Sequence, residues 1–467
     1  MSAPPFELLT LDRDVKRAAA RIDELRAQLR SGTPDALAFA RARDPFGELR
    51  HTAGQSTYRA LAESTPAAHE APLRDALLRW IHELLQVRVG FDLEVDDVEA
   101  LHAPDPRLPT RAVVATPSGD SDTRDPDAPL RTYAEALRAV LAAADAGRAR
   151  PALDRAGELA LPVAAARKER RARRIEVARR LGLAQPWSLA TAADPRTLAR
   201  ALFDATEPLA VELFKDPKKR HEGPWRASSA IQLALAREAH DGWPARPAAR
   251  WLDDAFHALA PRGVPIASPA VTLGASTFLR AAAAWGTTWK NLGAPRSMPF
   301  VLARDPYPIV AHRFGFALAS VVAEPMFQRR ALDLPARVAA AQARVLARTL
   351  FLAVRTLAAR VILGTTEHVD AGAFEEVTMR AFGAPLPAAM RDAWPDPRID
   401  DVAKLVALLG TPAFVASLVE RFDEDWFRNP KTGTHLTSLA CGPAHDADAP
   451  PEGAAERIGR RFEEALG

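Results

Sequence analysis

The residues best equipped for chemistry in this 467-residue chain are His312 and the six that follow it, Arg313-Phe314-Gly315-Phe316-Ala317-Leu318. An imidazole is the commonest metal ligand and the usual proton carrier near neutral pH. A catalytic zinc needs three protein ligands, and on a helix the second imidazole belongs four residues on, where it shares the first one's face. Position 316 is Phe, and the neighbour of His312 is a cation, Arg313, which repels any metal beside it. The segment 325–366 holds no glutamate; Glu375 and Glu376, further on, are the candidates for residual ligands. The stretch therefore offers one ligand where three are needed, and neither a bound metal nor a cofactor is expected.

His312 to Leu318 resembles the HEFGHAL helix of the thimet and oligoendopeptidase-like zinc metallopeptidases, agreeing at five of seven positions. In that family the two histidines bind zinc and the glutamate between them activates the metal-bound water. The resemblance implies a large, almost all-helical protein with its site in a deep channel between two lobes. It also implies lost catalysis, since Arg313 stands where the base would be and Phe316 where the second ligand would be. A degenerate relative of this kind keeps a channel that can take up a peptide or a partner chain. The alternatives are an unrelated helical scaffold whose apolar helices near Leu11 and Ala454 join partners, and a zinc peptidase with an atypical site.

The element that must position His312 is a helix expected from Pro306 to about Glu324. Asp305 is a suitable N-cap, prolines are tolerated in a first turn, and Pro325 must end or kink the helix. Phe314, Ala317, Leu318, Val321 and Val322 form its broad apolar face. His312, Gly315, Ala319 and Ala323 form a narrow stripe of small residues, suited to a neighbouring helix or the floor of a cleft.

Most of the remaining chain also reads as helix, in an all-α multi-helix bundle. Helical spacing is clear at Leu11–Arg30 and at Ala71–Val87, where His82-Glu83 reads as an ordinary polar face. From Phe91 to Pro129 the chain turns rich in Asp and Pro, which predicts a linker with at most a small hairpin at 112–116. Four regions follow: an N-terminal helical region at 1–90, this linker at 91–129, a middle helical region at 130–240, and a C-terminal helical domain at 241–467. Arg167, Arg170, Arg171 and Arg174 share one face and read as solvated. On the long helix expected from Leu334 to Gly364, Arg337, Arg344, Arg348 and Arg355 fall on one line, a solvated edge or a wall for an anion or a partner.

Composition limits the function classes. Lys and Arg total 62 against 59 acidic residues, a net charge of +3, so no nucleic-acid partner is expected despite a pI near 9.1. One cysteine, Cys441, precludes an internal disulfide and any multi-cysteine metal site, which suits the cytoplasm. No secretory leader is recognised, and the long apolar run 339–363 is interrupted by four arginines, so no membrane span is expected. Heavy Ala, Arg, Leu and Pro usage resembles codon bias in a GC-rich bacterial genome.

Overall fold

The structure, a computed structural model, describes residues 7–107, 129–142, 146–214, 254–259, 275–394, 399–445 and 449–466. Among these residues the regular elements are all helices, as the sequence predicts. The strand expected at 112–116 lies outside the described residues, as do the basic run at 218–221, whose flanking proline and glycine predict a loop, and the helices that apolar spacing predicts at 227–240 and over most of 245–258.

The N-terminal region is built on α1 (Leu8–Leu29), α2 (Pro34–Arg41), α3 (Gln55–Glu63) and α4 (Ala71–His102). Leu11, Val15, Ala18, Ile22, Leu25 and Leu29 recur at helical spacing, and all are buried in a cluster shared with Leu77, Ile81 and Leu84 of α4. Gly32, at φ +63°, turns the chain out of α1, and Thr33 caps α2 through Ala36 N at 3.4 Å. Next come α5 (Tyr133–Ala142), α6 (Ala146–Arg180) and α7 (Pro195–Phe214). Thr132 and Glu135 cap the start of α5 reciprocally, Glu135 N donating to Thr132 Oγ1 at 3.1 Å and Thr132 N to Glu135 Oε2 at 3.3 Å.

The linker expectation fails at 91–102, which are the last three turns of α4. Acidic residues there do not mark a loop, because arginines from three other helices meet them. Arg26 of α1 grips Glu94 through two bonds of 2.9 and 3.0 Å, Arg41 of α2 reaches Asp96 at 2.9 Å, and Arg173 of α6 reaches Asp92 at 2.8 Å. The solvated-face reading of α6 fails for the same reason. Arg167, Arg170 and Arg171 are buried, and the first two converge on buried Asp97 at 2.7 and 3.3 Å.

The C-terminal region contains α8 (Ala275–Gly293), the single turn α9 (Phe300–Ala303), α10 (Ile309–Ala323), α11 (Pro325–Ala331), α12 (Ala336–Thr365), α13 (Ala371–Phe382), α14 (Ile399–Phe422), α15 (Pro430–Ala440) and α16 (Ala454–Leu466). The chain bends by 75° between α10 and α11, where Pro325 opens the second helix. One apolar cluster joins α8, α10, α11 and α15 through Trp285, Trp289, Phe314, Val322 and Phe327; another joins α5–α7 to α12–α14 and α16. Helix α14 runs unbroken through Pro412, although a proline in a helix interior ordinarily breaks or kinks it. Of the described helices, Asp400–Phe422 alone is long and apolar enough to cross a membrane, and most of it is buried inside the fold.

Candidate functional site

Helix α10 begins at Ile309, three residues later than its prolines suggest, because Asp305 is engaged elsewhere. Its carboxylate forms a paired contact with Arg79 of α4, at 3.2 and 2.6 Å, and accepts Tyr307 N at 3.0 Å. Gly315 lies against α8: a Cβ there would sit 2.5 Å from Ala283 O and 2.6 Å from Thr287 Oγ1, and one on Gly286 would sit 2.8 Å from Phe314 O. The stripe of small residues is thus the seam of two tightly crossed helices along half its length. Ala319 and Ala323, further along, line an apolar pocket of about 510 Å³ with Phe316, Leu350, Leu408 and Phe462.

His312 Nε2 lies 2.8 Å from Asp400 Oδ1, at the start of α14, and Lys404 binds the other oxygen of that carboxylate. Burial pushes the Asp400 pKa up, yet the bonds from His312 and Lys404 outweigh it and hold the group well below the usual carboxylate range. Phe316 stacks on the His312 ring with centroids 6.2 Å apart, and Arg313 lies over Gly410 of α14. Among the described residues no three His, Cys, Asp or Glu side chains are grouped to hold a metal. The donor set does not fit zinc: the single imidazole nitrogen facing a carboxylate already binds it, beside an arginine and a phenyl ring.

Glu375 and Glu376 are exposed on α13, which packs on α7 and α12, so the structure does not bring them to His312. The line of arginines on α12 divides. Arg337, Arg344 and Arg348 are exposed, whereas Arg355 is fully buried and donates to Thr206 Oγ1 at 2.7 Å and Glu207 Oε2 at 2.8 Å. Arg355 is a cross-link between helices rather than part of a binding wall.

Asp400, the partner of His312, also lines a groove of about 1340 Å³ between α1, α4 and residues 291–308. Trp80, Glu83, Leu84 and Val87, on one face of α4, form its inner wall. The opposite bank is pinned at several points. Asp12 of α1 accepts Phe300 N at 3.1 Å and Val301 N at 2.8 Å, and Trp80 Nε1 donates to Arg304 O at 2.7 Å. Leu9 and Leu292, two apolar side chains about half exposed at 52% and 51%, stand on its banks.

Behind that wall lies a buried polar row that the sequence reading missed. Arg79 holds Asp305; His82, with no exposed surface, has Nδ1 2.6 Å from the Tyr307 hydroxyl; and Gln86 Nε2 lies 3.1 Å from His82 Nε2. With the Gln86 amide donating to Nε2, the imidazole proton sits on Nδ1 and is donated to Tyr307. Burial, helped by Arg174 and Arg79, lowers the His82 pKa to about 4, so the ring is neutral. Glu83, next in sequence, lines the groove, and its Oε2 is buried with no hydrogen-bond partner among the described residues. Burial raises its pKa; Arg174 and Arg26 oppose this, while Glu94 and Asp400 add to it. The spacing of Arg79, His82 and Gln86 on a helix with large apolar neighbours was the one available signal: three polar residues on a single inward line need partners inside the fold.

No protein-family model matches this chain, and neither does any curated protein. Among solved structures it is similar to one described as an oligoendopeptidase F from Bacillus anthracis str. Ames, with 10% identity, coverage of 90% of this chain and 84% of that one, and a TM-score of 0.48.

Proposed function

We propose that this protein is a catalytically inactive, metallopeptidase-like helical protein that holds an extended segment of a peptide or partner protein in the groove between α1, α4 and residues 291–308. The observation that carries this reading is the groove itself. At about 1340 Å³ it exceeds the few hundred to about 1,000 Å³ typical of small-molecule pockets. Its lining alternates charges of both signs with Trp80, Leu84, Met298, Phe300 and several prolines, and Leu9 and Leu292 leave apolar surface open on both banks. That mixture suits a chain with a polar backbone and varied side chains better than a single compact ligand.

Inactivity is supported by the chemistry at the zinc-like helix: a guanidinium at 313, a phenyl ring at 316, and a carboxylate already on His312 Nε2. The scaffold alternative is less well supported. The apolar faces of α1 and α16 that would join partners are taken up by the chain's own core, with Leu11, Val15, Ala454 and Ile458 all buried.

The test is fluorescence anisotropy with a library of short, unstructured peptides, using wild type and the Leu9→Arg/Leu292→Arg double variant, whose substitutions are at exposed positions. Binding by the wild type, weakened at least about tenfold in the variant, supports the reading; one tenfold step is about 1.4 kcal/mol. Equal binding by both proteins, or cleavage of the peptides, overturns it.

A further inference from the structure

We infer that the apolar pocket between α10, α12, α14 and α16 binds a neutral alcohol, its hydrocarbon body inside and its hydroxyl on the Leu408 carbonyl. No residue lines both this pocket and the α1–α4 groove, so the inference stands apart from the groove reading. The space comes from side-chain size. Ala319 and Ala323 of α10, Ala340, Ala343 and Ala347 of α12, and Ala465 of α16 line it, where longer side chains would fill the gap between the helices. Leu350, Val354, Ile458 and Phe462 complete an apolar wall, and about 510 Å³ falls within the range of small-molecule sites.

A second observation points to the polar group of the ligand. Pro412 stands inside α14 and, with Leu408 one turn before it, lines the pocket. Proline has no N–H, so the Leu408 carbonyl lacks the donor that position 412 supplies in an ordinary helix. No other element provides a replacement among the described residues. Ser320 and Thr411, the two hydroxyls on the wall, already donate to Ala317 O at 2.7 Å and Ala407 O at 2.8 Å. Leu408 and Pro412 are half-buried rather than sealed, so an occupant of the pocket reaches them. At the rim stand two cations and two carboxylates, Arg344, Arg461, Glu324 and Glu464, with Arg461 bonded to Glu324 at 3.2 Å. A charged head of either sign therefore meets as much repulsion as attraction. An alcohol fits on each count: it offers one donor, carries no charge, and buries its chain against the apolar wall.

Calorimetric titration with four molecules that share an octyl chain tests this: n-octanol, methyl octyl ether, octanoate and octylammonium. The expected result is one n-octanol per chain, with both ions weaker. The ether, which has no donor, should be weaker by about fivefold, the order of one neutral hydrogen bond. Pro412→Ala restores an N–H to the Leu408 carbonyl; it should raise the Tm, since a proline leaves a helix interior, and should bind alcohol and ether equally. Ala340→Phe fills the pocket from its half-buried edge and should abolish binding of all four. Equal affinity of wild type for alcohol and ether, a tighter-binding ion, or a preference for the alcohol that survives in Pro412→Ala overturns the inference. Uptake of several n-octanol molecules per chain that Ala340→Phe leaves unchanged, or no binding at all, overturns it as well. Should Ala340→Phe fail to fold, the comparison of alcohol with ether in wild type and Pro412→Ala still decides.

Discussion

Helices α10 and α4 carry chemistry in opposite ways. Helix α10 has the sequence of a site: an imidazole, a small-residue stripe and a seven-residue likeness to a zinc helix. In the fold its glycine serves to bring α8 close, and its imidazole is bound to Asp400. Helix α4 has the sequence of an ordinary amphipathic helix, yet it carries Arg79, His82 and Gln86 into the interior and presents Glu83 to the groove. A residue type suggests a role, but the role is set by what stands opposite it.

The comparison can be broken by substitution. If the polar row of α4 organises the groove, Arg79→Ala should cost the most, about 3–5 kcal/mol in urea denaturation, because it strands the buried Asp305 carboxylate. A loss below about 1 kcal/mol, the scale of an exposed ion pair, would demote the row to surface decoration. On the α10 side, Gly315→Leu should cost about 3 kcal/mol through overpacking against Ala283 and Thr287, read as a lower Tm. An unchanged Tm would show that the seam with α8 is open.

A pH titration sharpens the contrast. His82 has a folded pKa of about 4, below the free value near 6.5, so the unfolded chain takes up the proton first as pH falls. The contribution is complete above about pH 6.5 and declines toward pH 4, by about 2–3 kcal/mol in all. Stability measured across that window should fall in the wild type and fall less in His82→Gln; parallel curves would show that the ring is solvated. Glu83 has the opposite sign. Its raised pKa means that ionisation costs the folded state, so Glu83→Gln should raise the Tm modestly at neutral pH, and the gain should vanish below the unfolded carboxylate pKa of about 4.3. A lower Tm at neutral pH would mean that Glu83 has a stabilising partner.

Much of the architecture was legible because helical spacing and breakers are local. The apolar rows of α1 and α12, the stop at Ser31-Gly32 and the break at Pro325 all follow from neighbours within a few turns. Charge was harder to place. An aspartate and glutamate run at 92–99 reads as a loop, and the arginines of α6 read as solvated, until the two helices are laid together and each neutralises the other. Pairing of that kind spans seventy or more positions of sequence and leaves no periodic trace. Arg355 shows the same limit: the wheel places it in line with three exposed arginines, but only α7 and α13 determine that it is buried. Of the site, His312 was visible from its residue type, whereas its partner Asp400 and the groove wall at Glu83 depended on contacts between distant segments.

Hydrogen–deuterium exchange of the wild-type protein with and without the tightest-binding peptide of the library tests most directly where ligand is held. The account predicts slowed exchange in residues 8–26, 80–87 and 291–308, with 319–323, 340–354 and 458–465 around the apolar pocket unchanged. Protection confined to that pocket, with the α1–α4 groove unaffected, would contradict it.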